Sequence, residues 1–146
     1  MNLLFSFAGR IGRGKFWLGV LAQILLGIVA MALIFMLVPM DSMLVVGPDG
    51  QPVLDALGQP QIDYANPAMM PAYIIYGITI LLSLWWYFAI SVKRMHDRGR
   101  SGWWVLLMFL LSFVLIGSIW WLVDLGILEG EEGPNKWGPN PVPQSD

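Results

Sequence analysis

Lys93-Arg94-Met95-His96-Asp97-Arg98-Gly99-Arg100-Ser101-Gly102-Trp103-Trp104 decides how this chain folds. Four of the eight Lys and Arg residues and the only histidine fall within it, and long apolar runs lie on both sides. If the preceding helix runs on to Arg98, Asp97 lies one turn from Lys93 and from Arg94 and sits among cations. Gly99 then stands where a helix C-cap takes a left-handed residue, and Ser101 where the next helix takes an N-cap. The stretch reads as stop, turn and start. It predicts a short charged hinge at a membrane surface, with antiparallel apolar helices before and after it.

Composition agrees. Apolar residues make up 57% of the chain and charged residues 12%, against roughly 45–50% and 25% in soluble domains. The apolar excess is gathered in three blocks, which points to membrane spans and not to a large soluble core. The net charge of −2 and the placement of bases beside apolar runs argue against a nucleic-acid partner. Without cysteine, neither a disulfide framework nor a thiolate metal site can form. No other metal-ligand spacing and no cofactor motif is present.

The expected fold is an all-α integral membrane protein with three transmembrane helices, at about 16–38, 72–92 and 103–123. The whole of 1–146 is read as a single membrane domain. At about 1.5 Å per residue the first span covers a hydrocarbon core of about 30 Å with slight tilt. It is too long for a signal-peptide core, and Pro39-Met40-Asp41 is no cleavage site, so it is expected to be retained. Before it, Gly9-Arg10-Ile11-Gly12-Arg13-Gly14-Lys15 has the wrong glycine order for a dinucleotide loop and no preceding strand. It suits the headgroup region. Within the first span Gly19, Gln23, Gly27 and Ala30 form a narrow small and polar face on which another helix can pack.

Residues 39–71 contain no Lys or Arg but carry Asp41, Asp49, Asp55 and Asp63. Gly47-Pro48-Asp49-Gly50 is a strong turn signal, Gly58-Gln59-Pro60 a second, and a small β-hairpin is expected. The aspartates lack calcium-loop spacing, so they read as a solvated loop. On the second span Tyr76, Thr79, Ser83, Tyr87 and Ser91 recur every three or four residues as a polar stripe. Packing against the Gln23 face is its simplest use; lining a proton or ion path that includes Asp124 is the sharper one. Trp85, Trp86 and Tyr87 belong near an interface. Residues 129–146 form an acidic, then Pro/Gly-rich, extended tail.

Three bases precede the first span, none lies in 39–71, four lie in the hinge and one in the tail. The positive-inside rule puts the N-terminus and hinge in the cytoplasm and the aspartate loop in the periplasm. Three crossings place the tail outside. A re-entrant hairpin broken near Gly117-Ser118 returns it inside, and one lysine does not choose between them.

Three motifs carry a family resemblance. Phe7-Ala8-Gly9-Arg10-Ile11-Gly12-Arg13-Gly14-Lys15-Phe16-Trp17 resembles F-x-G-R-x-x-R-x-x-F-W, and the hinge resembles R-R-x-H-D-x-G-R-S-G-W-W. Asn135-Lys136-Trp137-Gly138-Pro139-Asn140-Pro141 resembles N-x-[FW]-G-x-[DN]-P. In this order they are similar to the YhaH-like family of small bacterial inner-membrane proteins, a domain of unknown function. The resemblance implies an inner-membrane location and no activity. Lys93 and Lys136 depart from the commoner arginine, and the aspartate loop looks like an insertion.

The candidate cluster comprises Arg10, Arg13, Lys93, Arg94, His96, Asp97, Arg98, Arg100, Trp103, Trp104, Asn135 and Trp137. Its simplest reading is a polar lock in which Asp97 pairs with Arg94, Arg98 or Arg10 and His96 bonds a backbone carbonyl. The same arginines could hold anionic lipid headgroups or a membrane-protein partner, in a homo-oligomer built on small-residue faces. His96 and Asp97 are the one acid–base pair that stands out, but adjacent helix residues do not face one another. The function expected is a non-enzymatic membrane module. The alternatives are a small transporter or channel subunit using the stripe, and, more weakly, an enzyme on lipid-linked substrates.

Overall fold

Apolar runs free of charge become two long helices in the computed structural model, which describes residues 3–39 and 43–142. Helix α1 is Arg13–Leu37 and helix α2 is Met70–Asp97. A 3-10 turn, Pro67–Met69, leads into α2; the Asn66 side chain accepts from the Ala68 N–H at 3.0 Å, and Pro67 sits where a helix start needs no donor. Both helices are long and apolar enough to cross a membrane. The most apolar window of α1 is 6% buried and that of α2 17%. A core helix of a soluble protein would be mostly buried, so these faces suit lipid.

The run over 103–123 is not one continuous helix, so it takes the form of the broken hairpin that the sequence offered as the alternative to a third rod. It forms helix α3, Trp103–Leu111, a 3-10 turn, Ser112–Val114, and helix α4, Ile116–Trp121, which continues as a π-helical turn, Leu122–Ile127. Between α3 and α4 stands Leu115 in the left-handed region, φ 66°. The Ser112 hydroxyl donates to the Met108 carbonyl at 2.7 Å, a back-bond that loosens a helix end. The two short helices pack together as a hairpin. A Cβ on Gly117 would stand 1.9 Å from the Met108 carbonyl oxygen, so only glycine permits that approach. Among the described residues, two helices of spanning length therefore accompany one helical hairpin, and the hairpin brings the tail back to the hinge.

The chain divides into two compact units, to each of which α1 and α2 contribute one half. The first comprises Met1–Ile24 and Leu82–Asp146. Ile11, Phe16, Ile90, Met95, Val105, Met108 and Leu125 form its buried core. Gly19 allows Ile90 to lie against α1, and the Gln23 amide donates to the Ser83 carbonyl at 3.3 Å. Gly19 and Gln23, two members of the small, polar face expected of the first span, thus meet α2 here, whereas a Cβ on Gly27 would meet nothing within 4 Å.

The second unit is Leu25–Leu81. Val38, Met69 and Ala72 form its small core with Ile34 and Met43. Its loop makes isolated antiparallel bridges, Leu44 to Ile62, Val46 to Pro52 and Leu54 to Pro60, with no continuous strand among the described residues. Asp49, Asp55 and Asp63 each accept from the N–H two residues on, at 3.1, 2.8 and 3.0 Å. These three carboxylates build turns. Asp41 lies outside the described residues.

The hairpin has a direct consequence for topology. Compartment reporters fused to the N-terminus and to the C-terminus should give the same side. Opposite sides would mean that 103–128 crosses the membrane in one piece.

Candidate functional site

The last turn of α2 puts Arg94 and Asp97 on one face, and the segment before α1 delivers Arg10 to the same carboxylate. Asp97 Oδ1 accepts from Arg10 Nε at 3.0 Å, and Oδ2 accepts from Arg94 Nη1. Arg10, Arg94 and Asp97 are 3%, 0% and 2% exposed. Buried guanidinium groups need every donor matched. Backbone carbonyls of the tail and of the π-helical turn supply the other acceptors. Arg10 Nη1 donates to the Gly133 carbonyl at 2.7 Å and Nη2 to the Glu131 carbonyl at 2.6 Å. Arg94 Nε donates to the Leu125 carbonyl at 2.9 Å and Nη2 to the Leu128 carbonyl. The Asp97 carbonyl accepts from the Glu131 N–H at 2.8 Å. A Cβ on Gly130 would stand 2.1 Å from Asp97 Oδ2, so the tail lies this close only because that residue is glycine.

A second aspartate repeats the pattern. Asp124, 3% exposed, accepts from Arg98 Nε at 2.9 Å, from Arg100 Nη1 at 2.7 Å and from Trp120 Nε1 at 3.0 Å. Arg98 Nη1 reaches the Glu129 carbonyl. Arg98 therefore belongs to Asp124, not to Asp97, and Asp124 is held in ion pairs.

His96 and Asp97 make no dyad, because their side chains meet different partners. The His96 ring stacks on Trp137 at 3.7 Å and 7°. Its Nδ1 lies 3.2 Å from the Gly9 carbonyl, which can only accept, so Nδ1 carries the hydrogen. Asn135 donates to the His96 carbonyl at 3.0 Å and to Glu131 Oε2 at 2.8 Å. Lys93 does not turn to Asp97; it reaches the Leu3 carbonyl. Arg13, at the rim, pairs with Glu129 at 2.7 Å. Trp104 packs edge-on to Trp120 at 5.7 Å, whereas Trp103 points away, 79% exposed.

The residues of the polar stripe of α2 meet different surroundings. Tyr76 is exposed, Thr79 bonds the Ile75 carbonyl of its own helix at 2.7 Å, and Ser91 accepts from Trp121 Nε1 at 2.9 Å. Ser83 and Tyr87 line a recess with Gln23, away from the ionic cluster. Sequence reasoning missed the indole donors of Trp17, Trp120 and Trp121; the first meets the Gly126 carbonyl at 3.1 Å. Tryptophans inside apolar runs were the available signal, since a buried indole N–H usually finds an acceptor. The tail carbonyls left no side-chain signal.

The three motif segments thus meet at one place. A match to the family described as "Protein of unknown function (DUF805)" covers residues 4–139. The chain belongs to this family. It is similar to the inner membrane protein YhaH of Escherichia coli K12, 42% identical over 69 residues, 46% of this chain and 50% of that one. It is also similar to the uncharacterized protein YiiR of the same organism, 38% identical over 76 residues, 38% of this chain and 52% of that one. The inner membrane protein YhaI shares 40% identity over 55 residues, 36% of this chain and 42% of that one. The chain spans about half the length of the curated relatives it matches. No solved structure matches. Relatives named as inner membrane proteins, together with the apolar helices, make this a membrane protein.

The Asp97 fork predicts an asymmetric mutational response. Asp97→Ala leaves two buried guanidinium groups without their anion and should cost about 3–5 kcal/mol. Arg100→Ala removes a side chain that is 45% exposed and should cost no more than about 1 kcal/mol. Thermal unfolding of the two variants in detergent checks this; equal midpoints would contradict the assignment.

Proposed function

We propose that this protein is a non-catalytic inner-membrane module that gathers anionic lipid headgroups at its ionic end, with the N-terminus and hinge in the cytoplasm and the aspartate loop in the periplasm. The observation that carries the reading is the charge left over after the internal pairs are made. Each aspartate of the two triads is shared by two arginines, which leaves one positive charge per triad. All eight basic side chains lie in the N-terminal segment, the hinge and the tail, against Asp97, Asp124, Glu129, Glu131 and Glu132, a formal +3 before the terminal Asp146. Residues 39–71 carry four acids and no base. This asymmetry supports the orientation.

Arg10 and Arg94 are consumed within the fold and Arg13 is paired with Glu129, so headgroup contact falls to the exposed cations Lys15 and Lys136 and to Arg100, which shares Asp124 with Arg98. Arginine forks match phosphate oxygens in two-point geometry. The exposed Trp103 suits the same interfacial layer.

Native mass spectrometry of the detergent-solubilised protein, offered phosphatidylglycerol and phosphatidylcholine, tests this. Phosphatidylglycerol should be retained preferentially, and less so in high salt. Each of Lys15→Ala and Arg100→Ala should weaken retention by about fivefold, as expected for about 1 kcal/mol per cation near an anionic surface. Equal retention of the two lipids would refute the proposal, and a co-purifying protein lost on the same substitutions would replace it.

A further inference from the structure

Within the first unit, α1, α2 and the hairpin line an open recess of about 620 Å³. This is the size of a site for a compact organic ligand, roughly 300–1,000 Å³. Gln23, Ser83, Tyr87, Ser112, Ser118 and Trp121 contribute to its wall among apolar side chains. None of them is charged, and none belongs to either ionic triad. At about 1.5 Å per residue, Gln23 lies roughly 15 Å along α1 from Arg13, half the depth of a hydrocarbon core of about 30 Å.

Polar groups at that depth are costly unless matched. Two of them are partly matched. Ser112 donates to the Met108 carbonyl, and the Gln23 amide nitrogen donates to the Ser83 carbonyl, which leaves Gln23 Oε1 as an acceptor. Among the described residues, the hydroxyls of Ser83, Tyr87 and Ser118 have no hydrogen-bond partner. The recess therefore offers three hydroxyl donors and one amide acceptor in an apolar setting. Beside them the Tyr87 and Trp121 rings lie nearly parallel, 18° apart with centroids at 5.9 Å. An acyl chain would fill the space and leave all three hydroxyls unmatched. The complementary occupant is flat, soluble in hydrocarbon and edged with acceptors.

We propose that this recess binds a lipophilic quinone. Its ring lies beside the stacked Tyr87–Trp121 pair, and its carbonyl oxygens accept from Tyr87 and the serine hydroxyls. Its isoprenoid chain stays in the surrounding hydrocarbon. The reduced form would donate instead to Gln23 Oε1, so the same wall accommodates both oxidation states. The proposal concerns binding and includes no electron transfer.

The test uses the full-length protein in phosphatidylcholine nanodiscs with a photoreactive azido-quinone, the labelled peptides being mapped by mass spectrometry. Label should concentrate on the segments of α2 around Tyr87 and of α4 around Trp121. Decylubiquinone should displace it and decanol should not. Tyr87→Phe combined with Ser118→Ala removes two donors without opening a large cavity. It should lower displaceable labelling by about tenfold, as expected for two hydrogen bonds, with the thermal midpoint kept. As a second variant, Ser83→Leu fills the recess and should abolish the labelling. Label spread evenly over the lipid-facing surface, displacement by decanol as efficient as by decylubiquinone, or unchanged labelling of the double variant would each overturn the proposal. Loss of the anionic-lipid preference would leave it standing, since the recess contains no charge.

Discussion

A carboxylate buried between two guanidinium groups is the constraint on which the rest of the first unit depends. Desolvation costs several kcal/mol per ion, and mutual attraction repays it only when the remaining donors are satisfied. Arg10 and Arg94 bring more N–H groups than one carboxylate can accept. The excess must go to carbonyls, and helix interiors have none to spare. The tail supplies them because proline and glycine keep it out of helix, so its carbonyls at Glu131 and Gly133 remain free for Arg10. The end of the π-helical turn does the same for Arg94, through Leu125 and Leu128. Terminal helix carbonyls lack intrahelical partners and carry partial negative charge, which suits a cation.

The hairpin follows from the same requirement. A single rod from Trp103 would carry Asp124 and the tail a full membrane thickness away from the hinge. Folding back at Leu115 returns Asp124 to Arg98 and Arg100, and returns the tail to Arg10 and Arg94. A left-handed leucine costs roughly 1–2 kcal/mol. The ion pairs formed at the far end of the hairpin, and the close approach at Gly117, offset that cost. Strain at the turn and the ionic contacts at the other end are two parts of one arrangement.

Away from the ionic end the chemistry changes. α1 and α2 present apolar side chains outward over most of their length, and polar groups are few and local: Gln23 on Ser83, Trp121 on Ser91, Thr79 on its own helix. In hydrocarbon such groups cannot rely on water, so each must find a protein partner or a ligand. The aspartate loop solves a different problem, using its own carboxylates to close turns whose backbone N–H groups would otherwise face outward unpaired.

Local conformation was legible in the residues themselves. Periodicity and charge placed α1 and α2 to within a few residues, Gly99 adopts the positive φ its position as a helix stop requires, and the Gly47–Gly50 turn forms. These features depend on interactions within a turn or two, which a linear reading contains. Which cation meets which anion was not legible. Asp97 had Lys93, Arg94, Arg98 and Arg10 as candidates, and only packing sent Lys93 to Leu3, Arg98 to Asp124 and Arg10 across 87 positions of chain to Asp97. The hairpin was legible only as an alternative, raised by Gly117-Ser118, because hydropathy is the same for one rod and for the same residues folded in half. Sequence specifies what each segment must bury or cap; the three-dimensional fold alone decides which distant backbone carbonyl or side chain meets that need, since such partners are set by geometry and leave no local trace.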